Sequence, residues 1–138
     1  MVIDILNYII SCPYLSDFNH NVDFLGKNPY SLSVSGRCKS EIVKQYTDGD
    51  VLLKDTYSVK LRLPYGVDME KNLDNCRFLE NVRQWFSDSS ARGILPGLLD
   101  GIAVSATAEF SEENAVFLAD TAIYTAKVAV LYYKTKSL

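Results

Sequence analysis

His20 is the only histidine in this 138-residue chain, so a histidine base or imidazole metal ligand could only be this residue. It stands at the start of a strand-like run, with Asp17 and Asp23 near in sequence. Composition alone leaves a Ser–His–Asp set open, but no Gly-x-Ser-x-Gly elbow is present. A surface histidine beside a loop accounts for it. Carboxylate pairs occur at Asp48/Asp50, Asp68/Glu70 and Glu112/Glu113. Asp48-Gly49-Asp50 lacks the calcium-loop pattern with its closing Glu and reads as a turn. Asp68 and Glu70 suit the first turn of a helix, where negative charge complements the dipole. Glu112/Glu113 reads as a solvated turn. Gly93, Gly97 and Gly101 follow a helix instead of opening one, and no Gly-Lys-Ser/Thr comes after them. They read as a cap and a turn. Cys12, Cys38 and Cys76 form no CxxC pair and read as buried free thiols of a reducing compartment. The sequence therefore predicts no catalytic set, no metal site and no cofactor.

Length sets one domain spanning residues 1–138, long enough to bury a core without staples. The net charge of −3 comes from fourteen basic and seventeen acidic residues scattered along the chain. That balance argues against specific nucleic-acid binding and against an anionic membrane. The first ten residues are too short and too polar to be a signal or a span. Nine tyrosines and six phenylalanines suit strands and interfaces.

The elements follow from periodicity. Val2, Ile5, Leu6, Ile9 and Ile10 fall at helical spacing, and Cys12-Pro13 ends that helix. His20–Leu25 and Tyr30–Cys38 read as strands, with Gly26-Lys27-Asn28-Pro29 between them as a hairpin turn. Glu41–Tyr46 and Val51–Leu63 flank Thr47-Asp48-Gly49-Asp50, a second hairpin. Glu70–Ser89 changes to helical period. Leu73, Cys76, Leu79, Val82 and Phe86 form its stripe, widened by Phe78 and Trp85. Ile102–Phe110 and Thr121–Tyr133 alternate as strands, with Ser111–Asn114 a turn region and Ile102, Val104, Ala106, Ala108 and Phe110 on one face. The last strand would span roughly 40 Å, longer than a domain of this size usually needs.

This order predicts an α+β fold, a single domain with a largely antiparallel or mixed sheet of about five to six strands and two helices on one face. Strand ends that outrun the core can pair with neighbours. The expected subunit interface is therefore Phe110, Thr121, Ile123, Tyr132 and Tyr133.

Several phrases together carry a resemblance. They are Asn21-Val22-Asp23-Phe24-Leu25-Gly26, Tyr46-Thr47-Asp48-Gly49, Phe78-Leu79-Glu80 with Trp85, Gly93-Ile94-Leu95-Pro96, and Asp120-Thr121-Ala122-Ile123-Tyr124 with Leu131-Tyr132-Tyr133. In this order they resemble the tail-terminator, or tail-completion, proteins of tailed bacteriophages and prophages, sometimes grouped as minor capsid proteins. The resemblance implies a homo-oligomer, commonly a hexameric ring, that caps the tail tube and joins it to the head. It implies tube and head–tail connector proteins as partners, and DNA passing through an acidic lumen unbound. It also implies a place in the virion tail, reached from the bacterial cytoplasm, and no enzymatic activity. Another head–tail connector or tail assembly component is the alternative. A small enzyme or ligand-binding domain using a carboxylate with Tyr or Ser groups is the third reading.

Overall fold

The computed structural model describes residues 2–99 and 101–135, the side chains of residues 112–114 excepted. The elements run α1 (Val2–Ile10), β1 (Asn19–Val22), β2 (Ser31–Val34), β3 (Lys39–Gln45), β4 (Val51–Pro64), α2 (Met69–Ala91), β5 (Ile102–Phe117) and β6 (Thr121–Lys134). The fold is α+β. Six strands form one mixed sheet in the order β1-β2-β4-β6-β5, with β3 also paired to β4.

Register explains which face is covered. Leu61 pairs with Leu32 on one side and Tyr124 on the other, and Val59 pairs with Val34 and Ala126. Tyr57 pairs with Val128, which pairs with Ala108. All of these side chains are buried. Strand alternation puts them on one face, where they form a single apolar cluster with Ile5, Ile9, Leu79, Val82 and Phe86 of the helices. Their neighbours in sequence, including Lys60, Thr125 and Lys127, point to the open face.

The helix α2 begins at Asp68, whose side chain accepts the Glu70 N–H at 3.0 Å. It ends at Gly93, where a φ of 76° turns the chain out of the helix. The α1 helix lies against it, with the Tyr8 ring 5.4 Å from Trp85 and 5.8 Å from Phe86. The segment after α1 adds Phe18, stacked on Phe78 at 5.7 Å.

Several expectations are corrected. The first strand pair is parallel, not a hairpin: Asn19 to Val22 align with Ser31 to Val34 in the same direction. Residues 23–30 carry the chain back instead of reversing it, with left-handed turns at Asp23 (φ 60°) and Tyr30 (φ 64°). Four-residue strands make so short a return possible, about 13 Å at 3.3 Å per residue.

The stripe of α2 is rotated relative to its apolar pattern. Asn75, Leu79, Val82, Phe86 and Ser89 are buried, while Leu73 and Cys76 are exposed. Asn75 is tolerated inside because its amide donates to the Pro64 carbonyl at 2.6 Å. Only Cys12 of the three thiols is fully buried; Cys38 is half-buried.

The strand β5 runs on through the expected turn to Phe117. Its register slips between Ala103 and Ser105, so Ile102 and Val104 are exposed while Ala106 and Ala108 are buried. It slips again between Ser111 and Val116, where four residues of β5 face the single residue Tyr124 of β6. The expectation for the Glu112/Glu113 side chains lies outside the described residues.

The strand β6 is not an overhang. It pairs with β4 from Thr121↔Pro64 to Lys134↔Val51 and with β5 on its other side, so it is central to the sheet.

Candidate functional site

The strand β5 is an edge strand, because only β6 pairs with it. Between its two slips runs a regular stretch, Ser105–Ser111, without proline. Its outer N–H and C=O groups have no strand partner among the described residues; Ser90 of α2 takes those of Ala106, and beyond it the edge can serve as a template for another strand. Exposed Ile102, Val104, Val116 and Phe117 flank it.

The second slip of β5 also shapes a cleft. The extra residues accompany a hollow of about 500 Å³ between α2 and the β5–β6 hairpin. Leu79, Phe110, Ala115, Phe117 and Tyr124 give it apolar walls. Cys76 lies in it, and Glu80 with Arg83 brings one charge of each sign. These two form an ion pair on the helix surface, and the guanidinium holds the Glu80 carboxyl below the usual carboxylate range.

The five residues predicted for an interface separate in space. Tyr133 is exposed at 39% and its ring lies 6.0 Å from Tyr46 on the open face. Ile123 is half-buried on that same face, and Phe110 is half-buried in the cleft. Thr121 and Tyr132 are buried within the chain. Thr121 accepts a hydrogen bond from Arg62 Nη1 at 3.0 Å, and Tyr132 donates to Asp55. Alternation along β6 separates Tyr132 from Ile123 and Tyr133, whereas Thr121 shares their side and is covered where Arg62 reaches it.

The buried polar cluster around Asp55 has no counterpart in the sequence reading. Asp55 is 3% exposed, and Ser40 donates to its Oδ1 at 2.6 Å. Tyr57, two residues further along β4, buries a hydroxyl without a hydrogen-bond partner among the described residues. Burial first, then the adjacent Cys38 thiol and Asp55 carboxylate, push the Tyr57 pKa far above the ordinary phenol value. Register through β3 was the missing information: Ser40 pairs with Asp55, fifteen positions on.

Charge on the open face is also uneven. Lys39, Lys54, Lys60 and Lys127 lie there with Glu41 and Glu109, and Lys44 sits 5.1 Å over the Tyr46 ring. Cross-strand pairing sets Glu41 beside Lys54 and Glu109 beside Lys127.

His20 is exposed, with Nδ1 3.3 Å from the Phe18 carbonyl. Asp48 serves its turn, accepting the Asp50 N–H at 3.0 Å. Among the described residues no three His, Cys, Asp or Glu side chains group as metal ligands. No helix among them is long and apolar enough to cross a membrane. No family model matches the chain, and comparison with curated proteins finds no match.

Proposed function

We propose that this chain is a virion assembly subunit of a bacteriophage or prophage, a tail terminator that forms a homo-oligomeric ring, caps the tail tube and joins it to the head. The observation that carries the reading is the edge strand β5, sixteen residues long, with no strand on its outer side among the described residues and with Ser90 of α2 capping it at Ala106. A long edge flanked by exposed Ile102, Val104, Val116 and Phe117 is a surface for association, not for turnover. The chemistry-bearing groups support a structural role too. Among the described residues the carboxylate most removed from water, Asp55, is tied up by hydroxyls of its own chain. The lysines of the open face refine the reading. Clustered ammonium groups hold phosphates, so this face suits contact with protein better than the wall of a DNA passage.

Native mass spectrometry and negative-stain electron microscopy test the proposal, over a concentration series and with a phage tail tube protein added. Closed rings are expected. A strict monomer under all of these conditions overturns the reading.

A further inference from the structure

We infer that Cys38 is a site of reversible oxidation, a thiol that takes one oxygen from hydrogen peroxide and is held as the sulfenic acid by the buried hydroxyl of Tyr57. This chemistry needs a single copy of the chain and stands apart from the ring reading.

Tyr57 is the anomaly. It is 1% exposed, and among the described residues its hydroxyl is the one buried side-chain polar atom without a hydrogen bond. Folded proteins rarely leave such a group unmet, because it has given up water for nothing. The Cys38 thiol lies against it. Strand register shows why. Ser40 pairs with Asp55 and Lys39 with Thr56, so one step back Cys38 comes level with Tyr57. Cys38 packs against the core cluster yet is only half-buried, so a small oxidant reaches it from solvent.

The hydrogens around Cys38 are already placed. Ser40 donates its only hydroxyl hydrogen to Asp55 Oδ1 at 2.6 Å, and Tyr132 donates to Oδ2 at 3.1 Å. Cys38 Sγ and Ser40 Oγ are 3.6 Å apart. With the Ser40 hydrogen committed to Asp55, the thiol is the donor in that contact and its S–H points at Ser40. Tyr57 therefore faces a sulfur with an S–H turned away from it. A thiol sulfur is a weak acceptor and leaves the phenol unsatisfied.

One added oxygen supplies the missing acceptor. The sulfur attacks a peroxide oxygen, the S–O bond forms as the O–O bond breaks, and hydroxide leaves with the thiol proton as water. Sulfur is oxidised by two electrons and the peroxide is reduced. That proton departs on the side of Ser40, which is exposed. The new oxygen carries lone pairs that accept the Tyr57 O–H. A small thiol then forms a mixed disulfide and releases water, and a second one restores Cys38 and leaves as a small-molecule disulfide.

Wild-type protein treated with hydrogen peroxide, cleared of it by catalase and only then given a dimedone probe decides the matter by peptide mass spectrometry. Cys38 should carry the sulfenic acid tag, and a small thiol added before the probe should erase it. Cys76 is the more exposed thiol, and its sulfenic acid should decay sooner. Tyr57→Phe should shorten the lifetime at Cys38 about fivefold, the scale of one lost hydrogen bond, and leave Cys76 unchanged. No tag at Cys38, or a lifetime there no longer than at Cys76, overturns the inference on the wild-type protein alone. An unchanged lifetime in folded Tyr57→Phe overturns it as well.

Discussion

Tyr132 donates its hydroxyl to Asp55 Oδ2 at 3.1 Å, joining residues 77 positions apart on two adjacent central strands. Ser40 binds the other oxygen from β3. Hydroxyls from two different strands thus hold one buried carboxylate. Removing either donor leaves part of that carboxylate dry and unsatisfied. Tyr132→Phe should lower stability by about 1.5–3 kcal/mol in chemical denaturation. Tyr57→Phe is the control, since among the described residues its hydroxyl makes no geometric hydrogen bond and meets only the weakly accepting Cys38 thiol. It should be neutral or slightly stabilising, and a loss comparable to that of Tyr132→Phe would contradict the arrangement.

Alkaline pH should unfold the protein earlier than its charge alone suggests. Tyr57, Tyr8 and Cys12 all have pKa values raised in the folded state, each chiefly by burial. For such acids the folded protein favours the neutral form. Their contribution is complete below the unfolded values, about 8.5 for the thiol and about 10 for the phenols. It is lost as pH rises through the folded values, because the unfolded chain deprotonates first. Urea midpoints measured from pH 8 to 11 should fall with pH. Tyr57→Phe should flatten the fall above pH 10.

Thiol chemistry should separate the three cysteines. Cys76 is exposed and Cys12 is buried. A water-soluble thiol reagent should modify Cys76 rapidly in the native protein and reach Cys12 only on unfolding. Equal rates at both sites would show that α1 does not stay docked over the sheet.

The clamp at the end of α2 should be measurable. Ser90 Oγ donates to the Ala106 carbonyl at 2.6 Å and accepts the Ala106 N–H at 2.9 Å. It therefore satisfies both backbone groups of an edge-strand residue. Ser90→Ala should cost about 1–3 kcal/mol, and hydrogen exchange at Ala106 should accelerate. An unchanged exchange rate would show that the bond is not holding the strand.

The patterns with a single physical reading were legible in the sequence. The β3–β4 hairpin announced itself through Asp48-Gly49, and Gly49 indeed carries the left-handed φ of 94°. The alternation from Ala122 to Tyr132 marked one buried face, because every second position there carries an apolar or aromatic side chain. What stayed hidden depended on partners distant in sequence. Asn75 is buried because a carbonyl eleven residues away receives its amide. The Gly26–Pro29 stretch has good hairpin residues, yet β2 takes β4 as its antiparallel neighbour and leaves β1 the parallel place. A single inserted residue, Val104, shifted the exposed face of β5. The cleft has no local signature, since its walls come from α2, β5, β6 and Tyr65 after β4.

The central place of β6 has a consequence for synthesis. It follows all the other strands in chain order, yet it must insert between β4 and β5. Until it emerges, β4 presents the long edge that β6 will occupy, and β5 has no strand to pair with at all. Nascent chains therefore pass through a stage in which the sheet lacks its middle. A chain stopped before Thr121 would keep α2 and the β3–β4 hairpin but hold two unmatched edges, a sticky intermediate whose neighbours on the same message are identical copies.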